Sequence, residues 1–395
     1  NPVFDLDFGQ EAMASAMLGV GKQLGIPKPR CLPALLSGAK AVRRHTAAVE
    51  KQGRELLASL RPDDKVLVLI TRNYGLSDPV LNMGIPRLLL ERGHKVITLS
   101  HLPAHDLDLS EDYPNLYWPF GQHILSGAKL VAHHPNLYAV YLTNHGCGPD
   151  TMLSYLFRKE MGDKPYLQIE VDEHFSNVGV ITRIEAFLNS LNHRPVEVLP
   201  KDFVLEQVDI RPCHLPAVPE KDFPLWLPPL GEYTASLTGY FRAQGVDAHA
   251  LPHLSAHALS LGCAETSAKE YLPFPALLGG ILAQQEADPA PAQFLIPQTR
   301  GAEADGQYAR VIRAVLDRRG NQSAKLVSPM LETLPATAQD RDALFRALLA
   351  GDILYAAPAA MRAGIAAAWD TLPGWAQLHK AAVEIGRCPA TGRRL

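Results

Sequence analysis

One cysteine in this sequence stands where a thiol can do chemistry. In "YLTNHGCGPDTML" (141–153) an apolar run ends, Gly146 and Gly148 flank Cys147, and a helix-forming stretch begins. Glycines there let the backbone turn tightly and approach a ligand, and Asp150 suits a cap for the helix that follows. A thiol near a helix N-terminus feels positive partial charge, which favours thiolate over thiol. Thiolates ligate metals or attack electrophiles, and Asn144 and His145 add polar groups just ahead. The same pattern also fits a small cysteine packed at a strand end, because unpaired Cys is among the most buried residue types.

A second cluster, "EVDEH" (170–174), gathers Glu170, Asp172, Glu173 and His174 at the end of another apolar run. Alternation along a strand sends Glu170 and Asp172 to one face and Glu173 to the other. Carboxylates with an imidazole hold a divalent ion or cap a helix, and the "SN" after His174 starts a helix without any metal. A third polar stretch, "PQTRGAEADGQY" (297–308), brings in Glu303, Gln307 and Tyr308. Cys147 paired with His145 or His174 permits a cysteine- or metal-dependent hydrolase, but the sequence assigns no third group to orient the base.

Other chemistries lack their motifs. There is no nucleotide-binding motif: G-x-G-x-x-G after the first strand and G-x-x-x-x-G-K-[ST] are both missing. A G-x-S-x-G elbow is missing too, which weakens a serine hydrolase reading. The five cysteines are far apart, odd in number and never spaced C-x-x-C, so neither a disulfide framework nor a zinc ribbon is indicated. Mixed charges, 38 Lys+Arg against 41 Asp+Glu, lack the basic footprint of a nucleic-acid binder. With no run of eighteen apolar residues and no secretory start, the expectation is a cytoplasmic protein with no membrane partner. The opening without Met suggests a start inside a longer product or after processing.

The elements that must position these residues are legible as a periodic pattern. At 395 residues, two domains of about 150 to 200 residues are expected. Residues 1–60 read as a helical N-terminal segment, with Pro and Gly near 24–38 separating two helices. Residues 61–197 read as a first α/β domain. Its strands are "KVLVLITRN", "HKVITLS", "LYAVYLTN" and "PYLQIEV", with helices between and after them. Apolar strands alternating with helices of ten to fifteen residues indicate a mostly parallel sheet. Residues 198–222 form a Pro-rich connection, and 223–395 a second α/β domain ending in a helix near "RDALFRALLAG" and a strand at "DILYAAP". The fold class is thus α/β, with two Rossmann-like or flavodoxin-like domains facing a cleft. In such sheets ligands bind outside the carboxyl ends of the strands, which selects "TRNYGLSDP", "NHGCGPD", "EVDEHFSN" and "PQTRGAEADGQY".

Several of these stretches carry a family resemblance. "YWPFGQHILSGAKLVAHHPNLYAVYLTNHGCGPDTML", "KPYLQIEVDEHFSNVGVITRIEAFLNSL" and "DPVLNMGIPRLL" closely resemble activase-related proteins of the 2-hydroxyacyl-CoA dehydratase system, in the region after the ATP-binding activase repeats of large fused members. "LPPLGEYTASLTGYFRAQGVDAHALP", "ETSAKEYLP" and "GAEADGQYARV" follow the same pattern, so the resemblance covers most of residues 40–330. It implies stacked α/β domains around a pocket, a CoA thioester as ligand, and an ATP-binding activase domain or protein as partner. It also implies a [4Fe-4S] or other iron–sulfur cluster held by cysteines from separate loops. Cys147 keeps a family cysteine position. Tyr271 in "KEYLP" and Glu303 in "GAEADGQY" occupy two others, where coordination through oxygen would have to replace thiolate.

Two readings follow from the resemblance. In one, the chain is a component of a dehydratase-like or related reductase system with degenerate cluster ligands: Cys147 is a ligand, and Asn144, His145, Gly146, Gly148, Asp150, Asp172, Glu173, His174, Gln307 and Tyr308 surround the site. In the other it is a non-catalytic scaffold or small-molecule-binding relative that has lost the cluster. Substrate, oligomeric state and enzymatic activity are not legible in the sequence.

Overall fold

The computed structural model describes residues 9–113, 115–172, 177–192, 215–267, 269–299, 301, 303–330, 334 and 338–364. Two long helices open it, α1 (Gly9–Gln23) and α2 (Lys28–Ala58). Helix α2 starts earlier than the prolines suggested. Pro29 falls in its first turn, where no amide hydrogen is needed, and Pro33 is accommodated within the helix.

The first lobe alternates as expected: β1 (Val66–Ile70), short helices α3 (Asn73–Ser77) and α4 (Ile85–Glu91), β2 (Lys95–Thr98), α5 (Pro119–His133), β3 (Leu137–Asn144), α6 (Gly148–Met161), β4 (Leu167–Val171) and α7 (Asn177–Asn192). Every residue of β1 is buried, as an all-apolar strand covered on both faces requires. The sheet is parallel throughout, in the order β2-β1-β3-β4.

The second lobe repeats this plan with β5 (Leu225–Leu227), α8 (Tyr233–Ala243), β6 (Ala248–Ala250), α9 (Ala256–Ala264), α10 (Pro273–Ala287), β7 (Ala292–Leu295), α11 (Tyr308–Arg318), β8 (Ala324–Val327) and α12 (Ala338–Gly364). Its parallel sheet runs β6-β5-β7-β8, the same order as the first. The strand expected at "DILYAAP" is instead helix, continuous with α12. Leu344, Ala347, Ala350 and Leu354 are buried at helical spacing, which carries one packed face of α12 through Gly351 and Asp352. Much of the expected connection, up to residue 214, lies outside the described residues.

One hydrophobic core crosses both lobes, joining Val68, Val140 and Phe157 to Phe274, Phe294 and Val311. No helix among the described residues is long and apolar enough to cross a membrane.

Helices α9 and α10 meet backbone to backbone. A Cβ on Gly262 would lie 1.8 Å from the carbonyl oxygen of Pro275, and one on Gly279 1.9 Å from that of Ala258. Gly279→Ala is therefore expected to lower unfolding free energy by about 1–3 kcal/mol. Gly38→Ala, on an exposed helix surface with nothing within 4 Å, should raise it by about 0.5–1 kcal/mol; urea titration of both variants checks the contrast.

His123, buried in α5, stacks on His105 with ring centroids 3.7 Å apart and leaves Nε2 without a hydrogen-bond partner. Burial, aided by His105, pushes its pKa down to about 3. The folded state therefore refuses a proton that the unfolded chain accepts below pH ~6.5. Stability is expected to fall as pH drops from there, by about 2 kcal/mol at pH ~5 from this group. Unfolding titrations of His123→Gln should show a shallower slope over that interval; an unchanged slope would refute the assignment.

Candidate functional site

In a sheet ordered β2-β1-β3-β4, the chain leaves β1 to one side and β3 to the other, opening a crevice at their carboxyl ends. The loops after β1 and β3 meet there. Arg72, just past β1, donates from Nη2 to Asp150 Oδ1 (2.8 Å) and to Cys147 Sγ (2.6 Å), and its guanidinium lies 4.4 Å from the centre of the Phe120 ring. Burial alone would depress the Arg72 pKa, but the hydrogen bond and charge of Asp150, with Cys147 behind, raise it above its ordinary value.

Asp150 is 4% exposed, and its second oxygen accepts from the Asn144 backbone N–H (2.7 Å). Its carboxylate thus ties the end of β3 to the first turn of α6. Cys147 is the N-cap residue of α6 and half-buried. Gly146 makes the turn before it at φ 64°, in the left-handed region that favours glycine. The Asn144 side chain donates to the Tyr74 hydroxyl (3.1 Å), a further tie to the first loop.

A cavity of ≈ 260 Å³ opens beside this turn, lined by Thr143, Asn144, His145, Gly146, Asp150, Thr151, Ser154, Glu170 and Lys269. Glu170, near the end of β4, accepts from Lys269 of the second lobe (2.8 Å) and contacts His145 Nδ1 (3.0 Å). Burial opposes its ionisation, but Lys269 and His145 hold its pKa below the ordinary value. The cavity is polar, flanked by a fixed cation and a fixed carboxylate, and suits a small polar ligand.

The second lobe closes over the cysteine turn. Tyr271 donates its hydroxyl to the Gly146 carbonyl (3.2 Å), and a Cβ on Gly148 would lie 3.2 Å from that hydroxyl. Burial, then Asp305, Tyr271 and Glu303, push the Tyr308 hydroxyl above its ordinary pKa, which puts Glu303 and Tyr271 in one neighbourhood. Tyr308 packs on Phe274 at 5.0 Å, and Gln307 Nε2 donates to the Asn115 carbonyl of the first lobe (2.6 Å).

The structure therefore brings Cys147, Tyr271, Asn144, His145, Gly146, Gly148 and Asp150 together. Asp172 is half-buried just past β4, Glu303 is exposed on the facing loop, and Glu173 and His174 lie outside the described residues. His145 is turned to Glu170, while Cys147 is turned to Arg72. Arg72 and Lys269 complete the site without a motif of their own. Only the position of "TRN" directly after an apolar strand pointed to Arg72, and nothing in "SAKEY" singled out Lys269.

A four-thiolate cluster does not fit these residues. The thiol at the cleft is held by a guanidinium, position 271 offers a phenol spent on a backbone carbonyl, and position 303 offers an exposed carboxylate. Among the described residues no group of three or more His, Cys, Asp or Glu could hold a metal ion.

Two parallel-sheet lobes, with a cavity at the carboxyl ends of β3 and β4, define a two-lobed α/β architecture. Residues 1–102 match the family model described as the CoA enzyme activase uncharacterised domain (DUF2229), which supports a CoA-enzyme activase-related protein. The matched range includes "DPVLNMGIPRLL" and Arg72, while the cysteine turn lies beyond it. No curated protein and no solved structure matches the chain.

The pairing of Asp150 with Arg72 makes a stability prediction. Asp150→Ala would strand a largely buried guanidinium and the Asn144 N–H, and is expected to cost about 3–5 kcal/mol. Chemical denaturation measures it; a loss under about 1 kcal/mol would mean that Asp150 does not organise the site.

Proposed function

We propose that this chain is a cluster-free component of a CoA-enzyme activase system. In this reading the cleft beside Cys147 binds the polar end of an acyl-CoA thioester, and an ATP-binding activase partner supplies the nucleotide chemistry for which the chain has no motif. The observation that carries it is the fate of the cysteine positions. Tyr271 fills the space against Gly148 that a shorter thiol would leave open, and Arg72 engages the sulfur of Cys147.

Within the cleft, Lys269 and His145 would meet the carbonyl or carboxylate oxygens of a ligand, with Glu170 holding both side chains in place. The hydroxyls of Thr143, Thr151 and Ser154 line the far wall. A ligand-bearing role needs no electron relay, which agrees with the single thiol at the site.

Protein purified without oxygen, analysed for iron and acid-labile sulfide, tests the reading. The expected product is colourless, with iron and sulfide far below one per chain and a melting temperature indifferent to a chelator. Stoichiometric iron and sulfide, lost in Cys147→Ser, would refute it and favour a cluster with unusual ligands. Calorimetric titration with acyl-CoA thioesters is expected to show binding weakened about tenfold or more by Lys269→Ala, the loss of one charge-assisted hydrogen bond.

A further inference from the structure

Between Glu11 and Glu50 the sequence contains no Asp or Glu and six cationic residues: Lys22, Lys28, Arg30, Lys40, Arg43 and Arg44. The whole chain carries a formal charge of -3, so removing those six leaves -9 for the remainder. The basic stretch makes up most of one structural unit, the α1–α2 hairpin, with Glu11 near its start and Glu50 and Glu55 toward its end. At its bend the two helices close tightly, since a Cβ on Gly21 would lie 2.2 Å from Cys31 Sγ. At its foot, Gly53 lets α2 settle on the backbone of His101, and Leu56, Leu57 and Leu60 pack against the core.

Between bend and foot, α2 is bare. From Lys28 to Ala48 Cys31 alone is buried, with Leu35 and Thr46 half-buried. About 30 Å of helix projects with Leu32 49%, Leu36 64% and Val42 66% exposed, and Leu24 70% exposed at the bend. Helices in proteins draw most of their stability from packing an apolar face, which this stretch lacks. Its charges add no compensation. Lys40, Arg43 and Arg44 repel at helical spacings of three and four, and no acidic residue is near enough in sequence to pair with them. The ion pairs of α2, Lys51–Glu55 and Arg54–Glu50, lie beyond the bare stretch.

A cationic surface set with exposed leucines marks an interface for an acidic, apolar partner face. We infer that the hairpin docks on the body of a second copy of this chain. The charges are complementary: the two helices together carry eight Lys and Arg against three Glu, a net of +5, while the rest of the chain carries -8, so like charge opposes hairpin-to-hairpin pairing. The body also presents an apolar receiving row: Phe345, Leu349 and Ile353 are exposed at intervals of four on α12, with Asp342 beside them and Asp352, Arg346 and Arg341 at its edges. Reciprocal docking of each α2 on the partner's α12 closes a two-fold dimer in which both bare helices are covered.

Sedimentation velocity and light scattering on the full chain test this. Wild type is expected to be dimeric at low salt. Its dimer dissociation constant should rise about tenfold or more as ionic strength goes from about 0.01 M to about 0.15 M, where the screening length shrinks from about 30 Å to about 8 Å. Lys40→Glu/Arg43→Glu/Arg44→Glu, Leu32→Gln/Leu36→Gln and Phe345→Ser/Leu349→Ser should each give monomer with unchanged near-ultraviolet circular dichroism, since all these side chains are on the surface. A wild type that is monomeric at low salt overturns the inference, as does a dimer indifferent to all three variants. Monomer that co-sediments with phosphatidylserine vesicles but not with phosphatidylcholine vesicles also overturns it, in favour of an anionic lipid surface.

Discussion

The site rests on one buried carboxylate. Asp150 sits at the start of α6 with almost no exposure, and a lone charge there would be too costly to bury. It persists because Arg72 and the Asn144 N–H satisfy both its oxygens. That requirement draws the loop after β1 onto the loop after β3 and fixes the guanidinium against Cys147. The direction of the sulfur, the entry angle of α6 and the floor of the cavity all follow from this one arrangement. A neutral residue at 150 would free the two loops from each other.

A second charged cluster fixes how the lobes meet. Lys129 lies 2.9 Å from Asp112 and 3.0 Å from Glu160, all three well buried in the first lobe. Arg310 of α11 enters from the second lobe, its guanidinium 4.1 Å from the centre of the Tyr113 ring and 3.8 Å from Asp112. Buried ion pairs contribute little net stability but penalise misdocking heavily, because any slip leaves a charge unpaired. The lobes are thereby set in one orientation. That orientation places Tyr271 over the cysteine turn and Lys269 beside Glu170, so the far end of the interface helps to shape the site.

What could be read from the sequence was whatever local physics decides. Strands β1, β3 and β7 are short apolar runs between turn residues, and they fold where that pattern placed them. The parallel α/β plan of both lobes followed from their alternation with helices. The strand expected at 352–358 is a short apolar run set off by Gly351 and Asp352, where periodicity cannot separate strand from helix and the burial of Leu354 decides. Helix α9 escaped notice because its apolar residues circle the helix, and only the glycine contact with α10 reveals why. The cysteine turn was visible as glycines and an acid at fixed offsets. Arg72 and Lys269 were not, because their roles depend on partners 78 and 99 residues away.

The two glycines beside Cys147 look alike in sequence yet serve different ends. Gly146 is there for its backbone, since its positive φ would strain any side chain. Gly148 is there for close approach, because a Cβ would lie 3.2 Å from the Tyr271 hydroxyl and that ring would have to give by a few tenths of an ångström. A ligand approaching the sulfur from the side of Gly148 would have to displace that phenol and its bond to the Gly146 carbonyl. A ligand entering the cavity beside Thr143 and Lys269 displaces nothing. The turn that resembles a cluster-binding loop therefore has its open side at the cavity, away from its own thiol, and the tyrosine at 271 is the residue that makes the difference.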